Sequence, residues 1–312
     1  MRLINQSATL VVEENPLKLV ELAGRVSHKS EDRITDDSYK SFLVNMLKLG
    51  HTATLEFASV YIKLDNIDKF LDFYKPMNEI NNTQYIYFNY GTNKLYTNLR
   101  YILNICPELF IDYINNNLQY CNTFIPKDND PYKRYCFNII TNRGVSHELV
   151  RHRVFSFLQE STRYCNYSKD KFSNELNIIN PFNNFIETDN IIQPVYLIGL
   201  KTIEDNYNWF TNSELFKPLK AQEARGILPN DLKTELYMSG FLKDWVGHNV
   251  EDTIYEIYGQ EVKVTNRLGF DTLRNDKSAH PQAREIAEQI KVQLVETIGK
   301  DNWNIIKENY YE

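Results

Sequence analysis

The densest run of chemistry-bearing side chains is Arg151-His152-Arg153, followed by Ser156, Gln159, Glu160, Ser161, Thr162 and Arg163. Three guanidiniums and an imidazole within 13 residues of a chain with net charge −6 call for anionic partners, because an unpaired buried charge is prohibitively costly. Guanidinium forks match phosphate and carboxylate oxygens bidentately, and the hydroxyls of Ser161 and Thr162 add donors. Two readings of the run stand side by side. In one it is a solvated basic helix end neutralised by Glu148 and Glu160. In the other it receives an anionic ligand, and the apolar neighbours Leu149, Val150, Val154, Phe155 and Phe157, which place it on a semi-buried element, favour this reading.

Other chemistries fit less well. His147-Glu148-Leu149-Val150-Arg151-His152 has the look of a zinc-binding HExxH, but its histidines are five residues apart. On a helix they point about 140° away from each other, and two adjacent arginines repel a cation, so no metal is expected. Ser161 near His152, or Cys165, could serve as a nucleophile, yet neither has a nucleophile-elbow context or a base held by an orienting group. Phosphate-binding glycine loops are absent from the sequence, so any nucleotide would be held by arginines and hydroxyls. The four cysteines (Cys106, Cys121, Cys136, Cys165) form no CxxC pair and read as reduced core thiols.

The elements that must position these residues follow from local pattern. Asn15-Pro16 caps a short helix, and Asp36-Asp37 opens another whose apolar positions (Tyr39, Phe42, Leu43, Met46, Leu47) recur at helical spacing up to Gly50. LEFASVYIKL reads as a strand; SHELVRHR as a helix, VFSFL as an extended piece and QESTRYCNYSKDKF as a polar loop. Residues 168–196 read as loop, LFKPLKAQEARGILP as a helix ending at Pro229 and KTELYMSG as a strand. Ala283, Ile286, Ala287, Ile290, Leu294 and Ile298 predict an amphipathic helix closed by Gly299. The stretch from about 65 to 135 gives no role. Ordinary apolar and charged fractions (42% and 24%) exclude wholesale disorder, and 312 residues suffice for a large core. With no repeat or linker, one domain over 1–312 is expected. No apolar run nears 18 residues and no signal-peptide core is present, so the expected setting is the cytoplasm, away from membranes. Net charge −6 opposes a generic nucleic-acid binder.

The run RHRVFSFLQESTRY resembles the signature of flavin-dependent thymidylate synthases: RHR, seven residues, Ser, one residue, Arg. Arg151, His152, Arg153, Ser161 and Arg163 fill every fixed position. LAGRVSH is similar to an early family turn and gives Ser27 the place of a cofactor phosphate contact. GHTATLEF resembles the GHxxxxEH element, with His51 and Glu56 matching and Phe57 in place of its second histidine. QEARGILP supplies Arg225, and LRNDKSAHPQAREI supplies Arg274, His280 and Gln282. Two departures stand out. Glu148 replaces a common Gln, with Gln159 replacing a common Glu, and an insertion at about 249–269 precedes the last segment, its IYEIYGQEVKV core reading as a surface hairpin.

The resemblance implies an α+β subunit that forms a homotetramer with sites at subunit interfaces. It implies reductive methylation of dUMP to dTMP with FAD as hydride carrier, methylenetetrahydrofolate as carbon donor and NADPH as reductant, and no catalytic thiol. By the same resemblance Arg274, Ser161 and His51 are catalytic; Glu148, Gln159, Glu160, Ser161, Arg163, Arg225 and Arg274 bind dUMP; and Ser27, Glu56, Arg151, His152, Arg153, His280 and Gln282 bind FAD. The alternatives are a non-catalytic nucleotide- or RNA-binding module that stacks bases on its tyrosines, and a flavoenzyme of the same fold with a different substrate.

Overall fold

Alternating aromatic and β-branched residues in RYCFNIITN and KTELYMSGF make the two longest strands, each buried on both faces along most of its length. The computed structural model describes residues 1–79, 83, 85–182, 191–249, 253–264 and 267–309. Four strands, β1 (Ser7–Leu10), β2 (Arg134–Asn142), β3 (Ser156–Gln159) and β4 (Lys233–Phe241), form an antiparallel sheet in the order β1-β2-β4-β3. The β2–β4 ladder runs unbroken from Asn142 opposite Lys233 to Arg134 opposite Phe241.

Helices position the sheet's ends: α1 (Pro16–Val26), α2 (Arg143–Leu149), α3 (Phe270–Arg274) and α4 (Pro281–Ile298). The predicted apolar stripe of α4 is buried, packing with Phe137, Ile139, Leu236, Met238 and Trp245 in the main core. Its glutamines also cover the sheet edge. Gln289 accepts from the Ala8 N–H at 2.8 Å, while Gln293 accepts from Leu10 N–H and donates to the Ala8 carbonyl, both at 2.8 Å. An edge strand's free backbone groups are thereby satisfied.

Within the 65–135 stretch and just before it lies a second four-stranded antiparallel sheet, in the spatial order Tyr87–Asn89, Lys94–Asn98, Ser59–Leu64, Cys121–Thr123. It has its own core around Val60, Ile62, Phe70, Leu95, Leu99 and Ile102. An aromatic seam of Tyr61, Tyr96, Tyr132, Phe124 and Phe241 joins it to the main sheet, with Tyr87 and Tyr132 stacked at 3.4 Å. The architecture is α+β, as the sequence led us to expect. No helix among the described residues is long and apolar enough to cross a membrane.

Several local readings are corrected. LEFASVYIKL is strand only from Ser59, since Thr52–Phe57 winds as a 3-10 helix. The expected loop 168–196 contains a strand, Asn177–Ile179, and the start of a long helix, Ile192–Asn212. The helix predicted before Pro229 shrinks to Ala221–Ala224 and a 3-10 turn. Finally α2 stops at Leu149, so Arg151–Arg153 lie beyond its end.

The insertion holds the expected hairpin, Thr253–Ile257 against Gln260–Val264, turning at Tyr258 and Gly259 with φ of 53° and 74°. At its neck His248–Asn249 pairs with Arg267–Leu268. There Gly269 (φ +87°) lies against Gly247, so a Cβ on Gly269 would come 2.1 Å from the Gly247 Cα. This neck delivers the chain into α3 and hence to Arg274.

Candidate active site

The Asn142 side chain caps α2 by accepting from Val145 N–H at 2.7 Å, and α2 runs away from the β2–β4 end of the sheet. A tight turn follows, with His152 N–H on the Leu149 carbonyl and Phe155 N–H on the His152 carbonyl, and β3 carries the chain back. The signature run is thus split. Arg151-His152-Arg153 precedes β3 and Glu160–Arg163 follows it, so the two groups lie at opposite ends of a four-residue strand about 13 Å long at 3.3 Å per residue.

At the first end, Arg274 reaches across from α3. Its Nε donates to His152 Nε2 at 2.8 Å, its Nη1 to Glu148 Oε2 at 3.0 Å and its Nη2 to the Glu148 carbonyl at 2.9 Å. His152 is 9% exposed and packs near Phe270 and Phe155. Burial first, then the cations of Arg274 and Arg151, push its pKa down to about 4. The imidazole is therefore neutral at pH 7, and accepting at Nε2 requires its proton on Nδ1. Glu56 pairs with Arg100, and its carbonyl accepts from the buried Arg134, which also binds Ser156 Oγ at 3.1 Å. The Tyr85 hydroxyl donates to the Arg153 carbonyl at 3.3 Å.

At the second end, Ser161 N–H donates to the Ser27 carbonyl at 3.1 Å, which joins a residue matched to the cofactor with one matched to dUMP. Tyr164 stacks on His28 at 4.1 Å and carries the Arg163 guanidinium 5.3 Å from its ring centre. Burial and the neighbouring His51 lower the pKa of His28. Glu160 is buried and bonded to the Tyr167 hydroxyl (2.9 Å) and Lys233 (2.7 Å). Lys233 continues to Glu235 (3.1 Å), and Glu235 to Lys29 (2.6 Å). Against the effect of burial, these two lysines hold the Glu235 carboxyl at about 2. Lys29, Glu160, Tyr167, Lys171 and Lys233 line a cavity of about 240 Å³. Arg225 is exposed on the turn that leads to Leu228–Leu232, a segment bonded to Arg143 and Gly144 at the start of α2.

Two matched residues are committed to the frame. Gln159 donates to Ser146 Oγ (3.0 Å) and Thr234 Oγ1 (2.9 Å), tying β3 to α2 and β4. Gln282 is buried, accepting from Asn142 Nδ2 (2.8 Å) through its side chain and from Gln6 through its carbonyl. His280 occupies the position just before α4, half-buried, without a side-chain capping bond. Sequence reasoning missed Lys29, Lys233, Glu235, His28 and Tyr164. The only local signal was adjacency, since His28 and Lys29 follow Ser27, and Tyr164 follows Arg163.

The basic run is not neutralised by Glu148 and Glu160, which bind Arg274 and Lys233 instead. Arg151, Arg153, Arg163 and Arg225 are exposed, and among the described residues none of them forms an ion pair. Four unneutralised guanidiniums in a chain of net charge −6 fit phosphate and pyrophosphate ligands such as a flavin dinucleotide and a nucleotide. All four thiols are buried. Desolvation raises each pKa, that of Cys165 to about 12, which leaves them protonated and unreactive.

The family described as thymidylate synthase complementing protein matches residues 133–248, which take in β2, α2, the basic run, β3 and β4. A protein of Paramecium bursaria Chlorella virus 1 named "Probable flavin-dependent thymidylate synthase" is 29% identical over 117 residues, 36% of this chain and 52% of that one. The flavin-dependent thymidylate synthase of Corynebacterium glutamicum is 29% identical over 115 residues, 33% of this chain and 43% of that one. The chain thus matches about half the length of these relatives. Among solved structures, the UMP/dUMP methylase PolB from Streptomyces cacaoi, bound with 5-Br UMP, aligns over 98% of this chain and 97% of its own at 10% identity, with a TM-score of 0.42. The segments bearing Ser27, His51, Glu56, Arg274, His280 and Gln282 lie outside the stretch that the family matches. Through residues 133–248, which hold the complete RHR signature, the chain is similar to the flavin-dependent thymidylate synthases.

Proposed function

We propose that this protein converts dUMP to dTMP, taking the carbon from methylenetetrahydrofolate and the reducing equivalents from NADPH, with FAD between them. The observation that carries the reading is the set of four exposed, unneutralised arginines around β3, inside the family's signature and beside it. dUMP brings a phosphate, FAD a pyrophosphate and folate a carboxylate, and arginines at both ends of one strand suit such a combination. When bound, FAD supplies the hydride-carrying chemistry, and the protein supplies position and field.

Arg151 and Arg153, with the Ser27 turn, hold the flavin's phosphates, and neutral His152 fixes the ring beside them. Glu56, His280 and Gln282 shape the rest of the flavin site, the last two from the start of α4. Arg163 and Arg225 take the dUMP phosphate, with Ser161 donating beside it and Glu160 and Gln159 fixing the loop. Arg274 meets the pyrimidine, where negative charge develops as C5 becomes nucleophilic. A preorganised cation at that point lowers the barrier more than it tightens substrate binding. In this reading His51, which lies near His28, handles protons at the site. We further propose a homotetramer with sites between copies. Four buried thiols fit a reducing compartment such as the cytoplasm.

The test is direct. Purified protein should be yellow and should release tritium from 5-³H-dUMP only when NADPH and methylenetetrahydrofolate are both present. Colourless protein that binds RNA without such release would favour the binding-module alternative. Flavin binding with NADPH oxidation but no release from dUMP would favour a different substrate.

A further inference from the structure

Glu148 stands three residues before the basic run, and its carboxylate is bonded to Arg274. The guanidinium is engaged at all three nitrogens: Nε on His152, Nη1 on the Glu148 carboxylate and Nη2 on the Glu148 carbonyl. That carbonyl lies in the last turn of α2 and accepts a long bond, 3.4 Å, from the Arg151 N–H, so Arg274 at 2.9 Å reinforces the helix end. A guanidinium has five N–H groups, of which three are used here, leaving one on each Nη. Side-chain exposures of 17% for Arg274 and 31% for Glu148 place the pair at the surface, within reach of a ligand. An arginine on the short helix α3, just after a hairpin insertion, would otherwise sample many rotamers.

We propose that Glu148 and His152 are positioning residues for Arg274, fixing its guanidinium on the end of α2 so that its two remaining N–H groups face the substrate carbonyl. A carboxylate grips the arginine more firmly than an amide, at a point where the chain reaches the site through a hairpin neck. The proposal rests on the reading of Arg274 as the pyrimidine contact. Its two parts, the clamp and its use, can be measured separately.

The clamp is read without turnover, from hydrogen exchange of the Arg274 ¹⁵Nε–H in the FAD-bound protein, assigned by its loss in Arg274→Lys. Slow exchange is expected in the wild type, with acceleration in both Glu148→Ala and His152→Ala. Equally fast exchange in all three would overturn the proposal. The use is read by a double-mutant cycle on tritium release. Glu148→Ala should lower kcat roughly ten- to a hundred-fold, as expected for a lost charged hydrogen bond, with FAD occupancy and NADPH oxidation retained. Glu148→Gln should recover most of this loss. In an Arg274→Ala background, Glu148→Ala should cost almost nothing more, because it acts through the arginine. Losses that multiply would mean that Glu148 works on substrate directly, and the positioning role would fall. A wild type that releases no tritium while keeping a slowly exchanging Nε–H would refute the thymidylate reading and leave the clamp standing.

Discussion

Arg163 is exposed on the loop after β3, its guanidinium resting on Tyr164 and free of any carboxylate among the described residues. If it and Arg225 hold the dUMP phosphate, each contributes hydrogen bonds to a charged group, worth about 1.5–3 kcal/mol. Arg163→Ala and Arg225→Ala should each weaken dUMP binding about ten- to a hundred-fold by calorimetry, with little change in flavin content. Normal dUMP binding with lost flavin would reassign Arg163 to the cofactor. His152 gives a second prediction at this scale. Its folded pKa of about 4 lies below the ordinary value of 6.5. As pH falls below 6.5 the unfolded imidazole takes up a proton that the folded one refuses, so stability drops through this window and is unaffected above it. The loss reaches about 2 kcal/mol by pH 5. His152→Gln should flatten that part of the pH profile in urea unfolding. Equal slopes for both proteins would show that the imidazole is not held neutral. The sequence revealed those residues whose types recur at fixed local spacing. It could not reveal Lys29 with Glu235, or Lys233 with Glu160, because partners 206 and 73 positions apart leave no periodic trace.

Elements were legible where burial is one-sided. The apolar stripe of α4 appeared because one face meets the core and the other meets water. The helix Ile192–Asn212 was missed because its buried positions include Glu204 and Thr211, which blur the stripe, and because Pro194 and Gly199 read as punctuation. Leu55–Phe57, at the end of the 3-10 segment, reads as strand because buried Leu55 and Phe57 flank the half-buried Glu56 and imitate alternation. The neck of the insertion is the element on which the site depends most. Gly269 has φ +87° and ψ 167°, a region open essentially to glycine alone, and it abuts the Gly247 backbone. Gly269→Ala should cost at least about 1–3 kcal/mol from backbone strain, and it should shift α3 as the chain relieves the clash. The expected signature is a lowered Tm together with a fall in dTMP formation beyond any loss of folded protein, since Arg274 ends α3. Substituting Gly226, around which a Cβ has open space, is the control and should leave stability within about 0.5 kcal/mol. Equal stability of the two variants would show that the two-glycine contact does not define the neck.

For the whole molecule, the accessible surface is 17,020 Å², whereas a compact monomer of 36.9 kDa is expected to show roughly 13,600 Å². The exposed hairpin Thr253–Ile257 and Gln260–Val264 contributes to that excess. The proposed assembly would place the two halves of one site in different copies. Arg274 is turned onto the end of α2, while Ser161, Ser27 and Arg163 gather at the far end of β3, about 13 Å along the four-residue strand. In a single copy the arginine proposed for the phosphate and the arginine proposed for the base thus stand at opposite ends of one strand. Two copies meeting with opposed β3 ends would bring the halves together, each chain lending its arginine to a site that it shares. Subunit complementation distinguishes the arrangements. Arg163→Ala and Arg274→Ala proteins should each be nearly inactive alone. Mixed by co-expression, they should recover about a quarter of wild-type sites, because half the pairs are mixed and each mixed pair has one site with both arginines intact. Activity in the mixture no greater than the mean of the two variants would place both arginines in a site built by one chain.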